Sequence, residues 1–153
     1  MIEIQGNFWD VSDDYDAICC TINTVVKNDG SLVMGAGIAK SFNDKYPPLA
    51  KQWGKRIIYN KKEPYVLVSM NIEVAQYLIG IPTKIHYKDK STIELISKSM
   101  SELLSIKRHL GLRSILMTRP GCGLGGLNWK KDVKPILVDM LDDRFTIIHN
   151  GDN

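Results

Sequence analysis

The apolar positions of this chain fall into two rhythms, and their alternation predicts the fold. Short apolar runs occur at 2–5, 16–24 ("DAICCTINT"), 65–70 ("YVLVSM"), 75–81 ("AQYLIGI"), 114–118 ("SILMT") and 145–150 ("FTIIHN"). Runs of this length, several of them rich in β-branched residues, predict strands. Between 91 and 110 the rhythm changes: Ile93, Ile96, Met100, Leu103, Leu104 and Leu110 recur at helical spacing. Ser91 with Glu94 makes a capping-box pattern at one end and Gly111 supplies a stop at the other. Further helices are predicted over 36–45, halted by Pro47 and Pro48, over 49–55, and over 130–141, where Pro135 lies inside the pattern and displaces the start. Strands alternating with helices predict one layered α/β domain over residues 1–153. Only "NIEV" separates the third and fourth strands, so these two form an antiparallel pair and the sheet is mixed.

Composition narrows the class. A chain of 153 residues has the length of one domain, and its 44% hydrophobic and 24% charged residues are ordinary for a globular protein. The net charge of +3, from 20 basic and 17 acidic residues, is too small an excess to define a general nucleic-acid groove. The basic clusters at 61–64, 84–90 and 130–134 read as solvated surface. No apolar run approaches the ~18 residues of a membrane span, and "MIEI" lacks the order of a signal peptide. With three cysteines read as reduced thiols, a cytoplasmic location is expected. On a strand, adjacent Cys19 and Cys20 point to opposite faces. A compact domain with an open cleft is expected to be a monomer, with no metal and no cofactor.

Two glycine loops carry the candidate chemistry. In "TINTVVKNDGSLVMGAGIAKSF", residues 21–42, Gly35, Ala36 and Gly37 lie at the mouth of a helix. Small residues let backbone N–H groups approach a ligand, and the helix N-terminus favours an anion. "GCGLGG" at 121–126 again joins a strand to a helix. Two such loops can close on one diphosphate from two sides, each charge-assisted hydrogen bond contributing about 1.5–3 kcal/mol. Standard phosphate motifs fit less well. Ala36 stands where a P-loop needs lysine, and Lys40 comes too late. "GCGLGG" matches G-x-G-x-x-G, but the acid that follows, Asp142, precedes the last strand instead of ending the next one.

Together these segments resemble the macrodomains, which bind ADP-ribose. The first loop, "GCGLGGLNW" and "IPTKIHY" at 81–87 are similar to a branch that removes ADP-ribose from protein glutamate or, in antitoxin members, from DNA. The three segments cover about a third of the chain. The resemblance implies a three-layer α/β/α macrodomain with a mixed central sheet. It implies a pyrophosphate held by Gly35, Ala36, Gly37 and Ile38 on one side and by Gly121, Cys122, Gly123, Leu124 and Gly125 on the other. Asn23, Asn28 and Asp29 would lie near the distal ribose. Asn7, followed by Phe8, stands where many members have the Asp that accepts from the adenine amine; His149 and Asn150 would line the adenine pocket. The implied partner is ADP-ribose or an ADP-ribosylated DNA or protein.

The resemblance also makes Lys84 the catalytic candidate, as the amine that attacks the anomeric carbon of the distal ribose. An amine must shed its proton to attack, which desolvation or neighbouring cations favour; His86 and Lys88 are near in sequence. Glutamate-hydrolysing members carry an Asp where this chain has Gly125, so the DNA-acting members match better. Release of phosphate from ADP-ribose 1″-phosphate is another activity among macrodomains, in which Asn28, Asp29 or His86 would assist a water. A non-catalytic ADP-ribose reader is the alternative from a different class. Cys122, paired with His86 or His149, is a further candidate nucleophile. Trp129 is expected to anchor its loop by burying its ring.

Overall fold

The computed structural model describes residues 1–151. Its order is β1 (Ile2–Gln5), α1 (Phe8–Val11), a 3-10 turn (Ser12–Asp14), β2 (Ala17–Ile22), α2 (Gly37–Lys45), α3 (Leu49–Tyr59), β3 (Leu67–Asn71), β4 (Gln76–Pro82), α4 (Ile93–Leu110), β5 (Ile115–Thr118), a π-helical turn (Trp129–Val133), α5 (Lys134–Met140) and β6 (Phe145–His149). The six strands form one sheet in the order β1-β6-β5-β2-β4-β3. Neighbours run parallel except β3, which pairs antiparallel with β4, from Leu67 opposite Gly80 to Asn71 opposite Gln76. No helix among the described residues is long and apolar enough to cross a membrane.

The strand alternation divides the core into two halves. Ala17, Cys19, Ile79, Ile81, Met117 and Ile147 face α4, the π-helical turn and α5. Ile18, Cys20, Ile22, Leu116 and Ile148 face α1, α2 and α3. This is the layered domain with a mixed sheet that the sequence pattern predicts, in the three-layer α/β/α form that the resemblance implies, and the two adjacent cysteines do enter opposite layers. Burial holds both thiols well above their ordinary value.

Four local expectations are corrected. Helix α4 is capped by Thr92, whose Oγ1 accepts from Leu95 N–H at 3.3 Å, and not by Ser91. The helix predicted over 130–141 opens with a π-helical turn: Pro135 has no N–H to donate to the carbonyl one turn back, and α-helical pairing begins only at Lys134. Residues 8–14 are helical although their pattern predicts nothing, because Asn7 Oδ1 accepts from Trp9 N–H at 3.0 Å and starts a single turn. Helix α3 also runs four residues beyond the predicted end, to Tyr59.

Candidate functional site

The parallel strands end on one side of the sheet, where open α/β sheets bind ligands. A cleft of about 1370 Å³ lies there, lined by Gln5, Thr21, Ile22, Thr118, Ile148 and His149 from strand ends and by both glycine loops. Of the residues singled out from the sequence, it gathers Asn7, Phe8, Asn23, Gly35, Ala36, Gly37, Ile38, Lys84, Gly121, Cys122, Gly123, Leu124, Gly125, His149 and Asn150. Asn28 and Asp29 are absent from its lining: they occupy an exposed turn, where Asp29 Oδ1 accepts from Ser31 N–H at 2.9 Å. That bond holds the Asp29 carboxyl below its ordinary value.

The two loops meet. A Cβ built on Gly37 would lie 3.8 Å from the Leu124 side chain. No side chain caps α2, and the first intrahelical donor is Lys40 N–H, 3.2 Å from the Ala36 carbonyl. The N–H groups of Gly37, Ile38 and Ala39 therefore remain available at the cleft wall. Gly37 has φ +58°, a backbone conformation that glycine adopts without strain. Opposite, Leu127 N–H closes the second loop onto the Gly121 carbonyl at 2.9 Å, while the N–H groups of Gly123, Leu124 and Gly125 donate to nothing among the described residues. Positions 35 and 123 face open space, with no atom within 4 Å of an added Cβ.

Asn23 serves the first loop's shape. Its Nδ2 donates to the Val33 carbonyl at 3.0 Å, and its Oδ1 accepts from Val25 N–H at 2.8 Å. Asn7 Oδ1 already caps α1. Phe8 is buried in an aromatic cluster with Trp9 and Phe42, its ring centroid 4.8 and 5.7 Å from theirs. His149 Nδ1 accepts from Gly151 N–H at 3.1 Å, which leaves Nε2 as the ring nitrogen without a hydrogen-bond partner among the described residues.

Lys84 follows the end of β4. Thr83 N–H donates to the Ile22 carbonyl at 3.1 Å, and the N–H and Oγ1 of Thr24 both donate to the Ile85 carbonyl at 2.8 and 2.9 Å. Ser99 Oγ donates to the Pro82 carbonyl at 2.6 Å from α4. The lysine is thus fixed at its backbone while its ammonium, half-buried, makes no ion pair or hydrogen bond among the described residues. The lining holds the cations Lys27, Lys84 and Arg119 and no aspartate or glutamate among the described residues.

Cys122 has the opposite character from a nucleophile. Burial pushes its thiol up to about 11, against a smaller downward pull from Arg119, so it is protonated at neutral pH. Trp129 is buried as expected; its Nε1–H donates to Glu3 at 2.8 Å, and the Arg119 guanidinium stacks 5.3 Å from its ring centre. Sequence reasoning missed several residues of the lining: Trp9, Lys27, Tyr87, Ser91 and Arg119. Tyr87 ends the segment 81–87 and Ser91 reads as a helix cap, so neither carries a ligand signal of its own in the sequence. Arg119 had a usable signal, since a cation directly after a strand whose loop suits phosphate lies at the right end of the sheet.

Ser91 explains Gly125. Ser91 N–H donates to the Gly125 carbonyl at 3.0 Å, and the Ser91 hydroxyl is buried without a hydrogen-bond partner. A Cβ at 125 would overlap that hydroxyl, and would lie 2.6 Å from the Gly121 carbonyl oxygen and 2.8 Å from Ser91 Cβ. No side chain fits at 125, because Ser91 and the Gly121 carbonyl together fill the space.

A mixed six-stranded α/β/α sandwich with an anion-suited cleft between two glycine loops defines a nucleotide-type binding domain. The chain belongs to the Macro domain family, whose pattern it matches over residues 25–136. It is 29% identical over 128 residues to a DNA ADP-ribosyl glycohydrolase of Mycobacterium tuberculosis, covering 82% of this chain and 34% of the relative. It is 29% identical over 117 residues to the ADP-ribose glycohydrolase OARD1 of Bos taurus, covering 74% of this chain and 72% of the relative. The macrodomain of Thermus aquaticus DarG superposes with a TM-score of 0.80 at 24% identity, over 97% of this chain and 96% of that one, a likeness of fold. This chain spans about a third of the length of the DNA ADP-ribosyl glycohydrolases that it matches.

Proposed function

We propose that this domain binds ADP-ribose and removes it from DNA, with Lys84 as the nucleophile. One observation carries the reading: a backbone-anchored lysine stands in a cleft between two amide-rich loops, with no carboxylate on the cleft wall among the described residues. The names of the relatives support the substrate class. In this reading the N–H groups of residues 37–39 and 123–125 hold the diphosphate, and Asn7, His149 and Asn150 lie toward the adenine.

The step balances without a second acid beside Lys84. The Lys84 Nζ lone pair forms a bond to the anomeric carbon of the distal ribose as the bond from that carbon to the acceptor breaks. The acceptor leaves with the electron pair. The nitrogen that has just bonded is positively charged and still carries protons, so it can supply the one that the leaving group needs. Water then attacks the anomeric carbon, the bond to nitrogen breaks with its electron pair on nitrogen, and the proton lost by the water passes to that nitrogen, which regenerates the Lys84 amine and releases ADP-ribose. The Asp that glutamate-hydrolysing members place at 125 is not required for this route.

Gly125 also favours a second reading, a non-catalytic reader of ADP-ribose. Incubation with an ADP-ribosylated oligonucleotide, an ADP-ribosylated protein and ADP-ribose 1″-phosphate separates them. Release from the oligonucleotide by the wild type, lost in Lys84→Ala while calorimetry shows ADP-ribose still bound, is the expected result. Survival of all three substrates alongside tight ADP-ribose binding establishes the reader.

A further inference from the structure

Beside Lys84, at the outer lip of the cleft, lies an aromatic surface that the chemistry above leaves unused. The chain turns sharply over 86–89: Asp89 N–H donates to the His86 carbonyl at 2.9 Å, and His86 N–H donates to Asp89 Oδ2 at 3.1 Å. Lys88 N–H donates to His86 Nδ1 at 3.1 Å, which fixes the imidazole. The turn stacks His86 against Tyr87, with ring centroids 4.3 Å apart and planes 31° from parallel. Tyr87 lines the cleft and yet stays 42% exposed, with Ile85 beside it in sequence also exposed.

The charge around this ring is one-sided. Residues 84–90 carry Lys84, Lys88 and Lys90 against Asp89 alone, and the Asp89 carboxylate already accepts a backbone N–H. The Lys88 ammonium lies over the Tyr87 ring, 6.0 Å from its centre and at the outer edge of cation–π reach, a distance at which the long lysine side chain can swing aside for a base. An exposed aromatic backed by a second ring and flanked by lysines suits a single nucleic-acid strand: a base stacks on the ring while phosphates meet the cations. A base stacked within a duplex could not present a substituent this deep in a cleft, so the strand must be single or its base turned out.

We propose that Tyr87, backed by His86, is the platform on which a base of a single-stranded nucleic acid stacks, with the strand's phosphates on Lys88 and Lys90. This rests on the reading that the domain acts on ADP-ribosylated DNA, and names the part of the surface that would recognise the acceptor. Tyr87 is here a positioning residue; it takes no part in bond breaking.

The test compares wild type, Tyr87→Ala and Tyr87→Trp on an ADP-ribosylated single-stranded oligonucleotide, with free ADP-ribose binding measured separately. Tyr87→Ala is expected to raise KM about tenfold, the size of a lost base–aromatic stack, with kcat and ADP-ribose affinity unchanged. Tyr87→Trp should restore KM, and Lys88→Gln with Lys90→Gln should flatten the dependence of KM on salt. An unchanged KM in Tyr87→Ala overturns the platform while wild-type turnover upholds the hydrolase. An equal loss of ADP-ribose affinity also overturns it, by placing Tyr87 in the ADP-ribose site itself. If the wild type leaves the oligonucleotide intact, the hydrolase reading fails on its own. The platform is then judged by anisotropy of an unmodified labelled oligonucleotide at low salt, where loss of binding in Tyr87→Ala supports it and equal binding refutes it.

Discussion

Placing a negative charge at Gly123 tests the cleft directly. Position 123 has no atom within 4 Å of an added Cβ and its φ is outside the left-handed region, so a side chain there disturbs neither packing nor backbone. Gly37 is a poorer probe because its positive φ would strain any replacement. Gly123→Glu should therefore leave stability within about 0.5 kcal/mol, a shift of about 2 °C or less in Tm. A carboxylate about 5 Å from a phosphate charge costs about 0.8 kcal/mol in bulk water and about 3 kcal/mol at an effective dielectric near 20. A diphosphate carries two such charges, so the floor is a loss of about 15-fold in affinity and the value inside the cleft is larger. Calorimetric titration with ADP-ribose reads the loss, and Gly123→Gln, of the same shape without charge, separates electrostatics from bulk. Wild-type affinity in Gly123→Glu would show that no diphosphate approaches this loop, and the two-loop assignment would fail.

Three further predictions follow from the packing. Gly125→Ala should lower Tm by about 3–10 °C, the result of about 1–3 kcal/mol of overpacking against Ser91 and the Gly121 carbonyl; Ser91→Gly should relieve the part due to Ser91, and strictly additive losses in thermal melts would refute that contact. Cys122→Ser should retain full turnover at pH 7, because the thiol is protonated there; loss of activity would return the cysteine to the mechanism. Burial raises the Glu3 carboxyl, but Lys134, Trp129 and Arg119 outweigh it and hold the group below its ordinary value of 4.5. Its stabilisation is thus full above that pH and fades as acid protonates the folded state, so Glu3→Gln should lower Tm at pH 7 and flatten its acid limb; an unchanged melt at both ends would refute this.

The sheet was legible because its inner strands β2, β4, β5 and β6 are buried on both faces and leave apolar runs, and α4 because its apolar positions repeat over five turns. The loops were legible because side chains are missing from them. What the sequence concealed is set by contacts distant along the chain. Asn23 looked like a reader of hydroxyls; it lines the cleft, and it also ties the backbone of Val25 and Val33 with one N–H and one lone pair of its amide, a second task that no local pattern announces. Asn28 and Asp29 looked like site residues, but their turn packs against α3, where an added Cβ on Gly54 would lie 2.9 Å from Leu32 N. Ser91 read as a cap because serine with glutamate three residues on is a local pattern; its actual neighbour, Gly125, is 34 positions away.

The backbone bonds around Lys84 have a mechanical consequence. Strand β4 pairs with β2 over six positions, Ala17 with Tyr77 through Ile22 with Pro82, and the ties from Thr83 to Ile22 and from Thr24 to Ile85 extend that pairing past the strand ends. The amine and the root of the first glycine loop therefore ride on one stiff plank. Lys27, which lines the cleft just beyond that plank, can be changed without altering how far the lysine stands from the base of that loop, so variation there can retune what enters the cleft without slackening its grip on the reacting carbon.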